Sequence, residues 1–307
     1  MPPSDAPRSD NLRGAILMTL AMLAFTANDA CMKIVTRDLP LFEVVLARGV
    51  LTSLLLLALA RHLGGIRLRL PIRERRLIGL RTLGEVLATV TFLAALRQMP
   101  LANISAIMQI LPLAVTLAAA LILREPVGWR RMLAILAGFA GVMLIVRPGG
   151  AGFNGWSLVA LLSVACVVLR DLSTRQLGAA VTSVTVALSA AVSVTVVAAL
   201  AAPFQGFAPI APAQAGLIAL AALLLVGGHL FIVMAMRVGE VALVAPFRYA
   251  ALVFAILLGW LVFGDLPGAL TLIGAAVVVG AGLYAFWRER RLGRRVAAAG
   301  PPPLRLR

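Results

Sequence analysis

Residues 14–34 read GAILMTLAMLAFTANDACMKI, an apolar run broken near its end by Asp29 and, four positions later, by Lys33. A helix rising about 1.5 Å per residue over such a run can cross a hydrocarbon core of about 30 Å. Ionisable groups this deep in apolar sequence are costly and require a structural or functional reason. The same spacing returns 142 residues later as Asp171 and Arg175, in RDLSTR at 170–175, closing another apolar run. Membrane burial and internal duplication are therefore the two ideas that the first run raises.

Composition supports the membrane. The chain has 307 residues, 62% of them apolar and only 13% charged, with a mean hydropathy of +1.01. Soluble domains carry about 25% charged residues, and no soluble core of this size could hide so much hydrocarbon. Ten apolar runs can be drawn, at 14–34, 41–61, 78–96, 102–123, 131–146, 156–175, 181–200, 214–236, 241–263 and 269–287. The chain breakers Pro40, Pro71, Pro100, Pro126, Pro148–Gly150, Pro203–Pro212 and Pro267 mark the short connections. Backbone groups in lipid must be satisfied within their own segment, so the runs are expected to be helices. A membrane barrel would need period-two alternation, which they lack. The expected fold is an all-α integral membrane protein with ten transmembrane helices.

The net charge of +16 would suit nucleic acid, but its placement does not. Arg8 and Arg13 precede run 1, and Arg61, Arg67, Arg69, Arg73, Arg75 and Arg76 lie between runs 2 and 3. Arg124, Arg130 and Arg131 follow run 4, and Arg288, Arg290, Arg291, Arg294 and Arg295 follow run 10. The opposite connections hold Arg37, Arg97 and Arg147 and little else. Positive charge gathers on the cytoplasmic side of membrane proteins, so both termini are expected in the cytoplasm, at the inner membrane, with no nucleic-acid role. Run 1 is too long and too charged at its end for a cleaved signal peptide. Cys31 and Cys166 lie inside runs and read as packing residues. Residues 288–307, ending in GPPPLRLR, read as a basic, disordered cytoplasmic tail.

Two halves correspond, 12–147 and 154–287. At an offset of 140, Arg97 meets Arg237 and Glu125 meets Asp265, each acid preceding a helix rich in small residues. Five helices per half is an odd number, so the second copy should be inverted relative to the first. Secondary transporters use such inverted repeats and place the substrate near the midplane at the repeat interface. The chain resembles the EamA-type family of the drug/metabolite transporter superfamily over nearly its whole length. The resemblance rests on the five-plus-five layout, the cations Lys33 and Arg175 closing runs 1 and 6, and Arg48 in LARGVL. It rests also on QILPLAVTLAAALILRE with Pro112 and Glu125, and on the glycine-rich runs 5 and 10. APFRYAALVFAILLGWLVFGD is similar to the ninth helix of a branch that includes vitamin and nucleoside-cofactor carriers. Run 7 lacks a counterpart of Arg48, and Leu252 stands where run 4 has Pro112, so the halves have diverged.

Helix direction sets approximate depth. Run 1 heads outward and run 6 inward, which places the pairs Asp29/Lys33 and Asp171/Arg175 at opposite faces. Each pair shares a helix face at i,i+4, and each is a candidate gate latch or coupling site. Arg48, Glu85, Gln109, Arg170, His229, Arg248 and Tyr249 are the candidate substrate-binding residues nearer the midplane. Gln109 and Tyr249 fall at equivalent repeat positions. With Asp29/Lys33, Arg81/Glu85 and Asp171/Arg175 paired, Arg48, Arg170 and Arg248 remain for a carboxylate or phosphate on the substrate. Tyr249 would add an aromatic face and a hydroxyl. Glu85, Asp171 and His229 are the candidates for proton coupling. Gly227–Gly228 marks a hinge or a close backbone approach, and the small residues of runs 5 and 10 mark helix packing or a homodimer contact.

No catalytic residue, metal site or cofactor is expected. The chain has two histidines, His62 and His229, and neither lies in a metal-ligating motif. The expected function is multi-pass transport of a small polar or anionic metabolite of vitamin, nucleoside-cofactor or amino-acid type, by alternating access. Drug or amino-acid efflux on the same fold, and a lipid flippase or scramblase, are the alternatives. The expected partners are the substrate, membrane lipid and a proton as coupling ion, with the protein a monomer or homodimer.

Overall fold

The computed structural model describes residues 8–60, 65, 70–125, 127–149, 153–178, 181–238 and 241–298. Arg61, His62, Arg67, Arg69, Pro126 and Gly150 lie outside the described residues, as do 299–307 of the tail. The described residues contain helices and no strand. In order these are α1 (Arg8–Asp38), α2 (Leu41–Leu59), α3 (Ile72–Gln98), α4 (Leu101–Met108), α5 (Leu111–Ile122) and α6 (Trp129–Val146). The second half holds α7 (Trp156–Arg175), α8 (Ser183–Gln205), α9 (Pro212–Val238), α10 (Val241–Val244), a 3-10 turn (Ala245–Tyr249), α11 (Ala250–Phe263) and α12 (Ala269–Ala298). Ten stretches among these are long and apolar enough to cross a membrane, α4–α5 forming the fourth and Ala245–Phe263 the ninth.

Local sequence sets the boundaries. Pro40, Pro71 and Pro100 stand just before α2, α3 and α4 with extended ψ of 136°, 153° and 139°, so each helix begins where proline's missing N–H does no harm. Thr182 caps α8, its hydroxyl accepting from the backbone N–H of Thr185. Gly264, at φ 71°, turns the chain back after α11 so that the Asp265 N–H reaches Gly259 O at 3.0 Å. Several helices are longer than the apolar runs predict. α1 continues to Asp38, and α3 starts at Ile72 and takes in the arginines before run 3. The tail expectation needs correction too, because α12 continues to Ala298 and residues 288–298 are helical. Only apolar side chains stop at the lipid boundary; the backbone hydrogen-bond ladder does not.

Four helix pairs make the main contacts: α1 with α9, α3 with α7, α6 with α12 and α2 with α8. Weaker contacts join α1 to α11 and α7 to α5, then α2 to α9 and α3 to α8. This pattern is unchanged when each span is exchanged for the one five further on. Hydrogen bonds at the two ends follow the same exchange. The Phe42 N–H donates to Gln205 Oε1 at 3.2 Å, and the Thr182 hydroxyl donates to Gly65 O at 2.9 Å. Adding 140 to 42 and 65 gives 182 and 205.

The core lies where the halves meet. Val44, Val45, Ile104, Ile107, Ile110, Leu113 and Ile135 are almost fully buried there. Leu121, Leu200 and Leu261 are about as exposed as surface residues of a soluble protein, at 72%, 68% and 69%. Large apolar side chains facing outward along every span are what a lipid-facing surface requires.

Candidate functional site

Two spans are interrupted, and at matching places. The fourth breaks at Gln109–Ile110, between α4 and α5, one residue before the Leu111–Pro112 start of the next segment. The ninth tightens into the 3-10 turn Ala245–Tyr249, which contains Pro246. Proline inside a helix removes one ladder hydrogen bond and crowds the preceding turn. Gln109 and Tyr249 thus sit at equivalent breaks, 140 residues apart. Pro246 was the sequence signal for the second break, and comparing Leu252 with Pro112 looked for it in the wrong turn.

A chain of charges runs across α3, α7, α1 and α2. Glu85 on α3 accepts from Arg81 Nη2 at 3.2 Å and from Arg170 Nη1 of α7 at 3.4 Å. Arg170 Nε donates to Asp171 Oδ1 at 2.8 Å. On α1, Asn28 Nδ2 donates to Asp29 Oδ1 at 2.9 Å, and Arg48 Nη1 of α2 donates to Asn28 Oδ1 at 3.3 Å. Asp29 and Glu85 both lie within electrostatic reach of Arg48. Gly84 permits the arrangement: a methyl group there would lie 2.9 Å from both Arg170 N and Cys166 O, so α3 and α7 touch backbone to backbone. Ser163 Oγ of α7 ties the same seam, donating to Ala88 O at 3.2 Å.

Both expected gate pairs are absent. Lys33 does not bridge to Asp29; its Nζ donates to Leu96 O at 2.9 Å and to Met99 O, and stands 5.5 Å over the Phe263 ring. The last carbonyls of a helix lack intrahelical donors and carry its negative dipole end, so the end of α3 offers a buried ammonium more than one carboxylate does. Arg175 does not bridge to Asp171; its Nη2 contacts Glu125 Oε1 at 3.0 Å and Oε2 at 3.3 Å. Asp265, the counterpart of Glu125, lies within electrostatic reach of Lys33. The cations thus keep their symmetry while changing partners.

Depth also needs correction. Because α1 runs on to Asp38, Asp29 lies nine residues, about 13 Å, inside the helix end. Asp29 and Asp171 therefore terminate one connected cluster, through Arg48, Glu85 and Arg170, and are not confined to opposite faces. Arg170 is also not the free cation expected, since it holds two carboxylates. The free cation is Arg248: Asp171 and Arg170 lie within electrostatic reach, but its guanidinium makes no hydrogen bond or ion pair among the described residues. Asn28 was missed by sequence reasoning; its place beside Asp29 was the available signal.

The other candidates divide. His229 on α9 is accessible, with Nδ1 2.7 Å from Leu225 O, its ring edge-on to Phe25 at 5.1 Å, and Glu85 within electrostatic reach. Its neighbour Gly228 is a close approach, a methyl there lying 2.8 Å from the Phe25 ring. Gln109 is buried at the first break with no side-chain hydrogen bond among the described residues. Tyr249 packs on α12: its hydroxyl lies against Gly282, its ring is edge-on to Phe286 at 6.4 Å, its oxygen is buried without a hydrogen bond among the described residues, and Arg248 lies within electrostatic reach. Cys31 and Cys166 are buried free thiols. Among the described residues no three His, Cys, Asp or Glu gather as a metal site.

Residues 12–147 match the EamA-like transporter family. The chain is 29% identical over 288 residues to a riboflavin transporter of Rhizobium johnstonii, covering 92% of this chain and 94% of that protein. It is 26% identical to the pseudopaline exporter CntI of Pseudomonas aeruginosa (87% and 93% covered). It is 24% identical to the S-adenosylmethionine uptake transporter of Rickettsia bellii (89% and 92% covered). One solved crystal structure superposes with a TM-score of 0.63 at 21% identity, over 91% of this chain and 98% of that one, which supports the fold. Ten apolar spans among the described residues, a first half that matches the EamA-like transporter family and likeness to small-metabolite transporters along nearly the full length make the chain a small-metabolite membrane transporter similar to the EamA-like family.

Proposed function

We propose that this transporter moves a small polar metabolite bearing a carboxylate or phosphate across the cytoplasmic membrane, by alternating access of two inverted five-helix halves, 12–147 and 154–287. Both termini are cytoplasmic in this reading, as the arginine distribution requires. The exchange-invariant helix packing and the paired end contacts support the inversion. The two matched helix breaks support a central site, because interrupted spans free backbone groups only where they line a cavity.

One observation carries the substrate class. The central cluster holds four arginines (Arg48, Arg81, Arg170, Arg248) against three carboxylates (Asp29, Glu85, Asp171), and among the described residues the Arg248 guanidinium has no direct partner. A substrate anion would complete it, and a guanidinium offers two parallel donors to a carboxylate or phosphate. His229 and Gln109 are further polar groups with no side-chain hydrogen bond to another side chain among the described residues. Relatives named for riboflavin, S-adenosylmethionine and pseudopaline fit a polar small molecule, with both uptake and export among their names. A proton remains the candidate coupling ion, with Glu85, Asp171 and His229 as the groups able to carry it.

A ligand screen by thermal shift tests the reading, since binding to the folded state raises its melting temperature. An anionic metabolite is expected to stabilise the purified protein. Arg248→Gln should weaken that ligand by about tenfold or more, as expected for a lost charge-assisted hydrogen bond. Arg248→Lys should recover part of the loss, because it keeps the charge without the planar fork. An Arg248→Gln protein that binds every anionic ligand as tightly as the unaltered one would remove the basis for this substrate class.

A further inference from the structure

α6 and α12 meet backbone to backbone near one end of the bundle. A methyl group on Gly274 would lie 2.5 Å from Gly141 O, and one on Gly141 would lie 2.8 Å from Gly274 O. Toward the end that carries the chain termini the two helices part. At Gly280 a methyl group would meet nothing within 4 Å. The gap is a lipid-facing groove of about 470 Å³, walled by Ala137 and Val277, open at Gly280, and rimmed by Trp129 and Tyr284. From Trp129 to Ala137 it climbs about 12 Å along α6.

The open end is cationic. Arg130 stands 5.0 Å over the Trp129 ring and so is held at the mouth. Arg288 follows Tyr284 by four residues on α12 and shares its face. Neither arginine has an acidic partner among the described residues. A second copy of the chain packed here would bring the same two arginines against themselves. A zwitterionic lipid would bring a cation along with its phosphate and leave the net positive charge in place. Aromatic side chains at this level favour the boundary between headgroups and acyl chains, and basic pockets between spans suit anionic headgroups.

We infer that this groove is a specific seat for an anionic glycerophospholipid, one acyl chain lying between α6 and α12 and the phosphate between Arg130 and Arg288. The seat is separate from the central charge cluster, and the groove binds lipid whatever the transported substrate is.

Native mass spectrometry of the full chain in neutral detergent tests this by titration with dioleoyl phosphatidylglycerol and, separately, dioleoyl phosphatidylcholine. The first is expected to bind about tenfold more tightly, because phosphatidylcholine offers the same phosphate with a choline cation that would sit against the two arginines. The Arg130→Gln/Arg288→Gln double variant should lose that preference. Gly280→Leu, which fills open space, should weaken both lipids together. Equal affinity for the two lipids in the unaltered protein overturns the inference, as does a preference kept by the double variant. Displacement by soluble glycerol 3-phosphate would mark a soluble-anion site and overturn it too. Disulfide-linked dimers from a Gly280→Cys variant in bilayers would give the groove to a second copy, with the same consequence.

Discussion

Gly84→Val is expected to abolish transport and to lower the melting temperature by several degrees. The added side chain would meet the backbone N of Arg170 and the carbonyl of Cys166, each 2.9 Å from its first carbon. Neither is the end of a flexible side chain, so the strain can be relieved only by moving α3 away from α7. Overpacking of this kind costs about 3 kcal/mol. Separation would also stretch the Glu85–Arg170 contact, already 3.4 Å, and open the charge cluster from below. Gly79→Val is the control, because a methyl there, on the same helix, meets nothing within 4 Å. Uptake by cells and melting of the purified protein should separate the two variants. If they behave alike in both assays, the α3–α7 contact does not shape the site.

The second large effect is at Glu85. Its carboxylate is shared by Arg81 at 3.2 Å and Arg170 at 3.4 Å. Glu85→Gln leaves two guanidiniums facing each other in the bundle with only Asp171 to offset them. Removing one member of a largely buried ion pair costs about 3 kcal/mol, whereas removing both members and filling the space with apolar groups is close to neutral. Glu85→Gln should therefore be clearly destabilised, and Glu85→Leu/Arg81→Met should regain most of the lost stability without regaining uptake. A double variant that transports normally would reduce Glu85 to a packing element. Unchanged melting of Glu85→Gln would show that the cluster contributes little to the fold.

The spans and their number were legible because lipid imposes a length on any apolar helix, and ten runs of that length appear in the sequence. The ionisable residues of the cluster were legible for the same reason, since each departs from an apolar background, whereas Asn28 was not. Their partners were not. Asp29 and Lys33 share a helix face at i,i+4, yet Lys33 is drawn to the carbonyls ending α3, 63 and 66 residues away. Sequence spacing measures proximity within a helix and is blind to what a neighbouring helix offers. Asp29 lies deeper than the end of its apolar run implies, because α1 extends past that run to Asp38. Tyr249 was matched to Gln109 correctly in register, but register does not fix which way a side chain turns, and Gly282 gives its hydroxyl a place against α12. The breaks themselves were written in Pro112 and Pro246, within runs otherwise read as continuous helices.

Arg248 has a consequence for how the transport cycle runs. If its ion-pair partner arrives only with the substrate, the empty carrier must reorient with that guanidinium unpaired among the spans, and the loaded carrier need not. The empty return then becomes the slow half of the cycle. Substrate waiting on the far side would let the carrier come back loaded and neutralised, so uptake should quicken when vesicles are preloaded. A single unpartnered arginine would in this way tilt the protein toward exchanging one anion for another over carrying it in one direction.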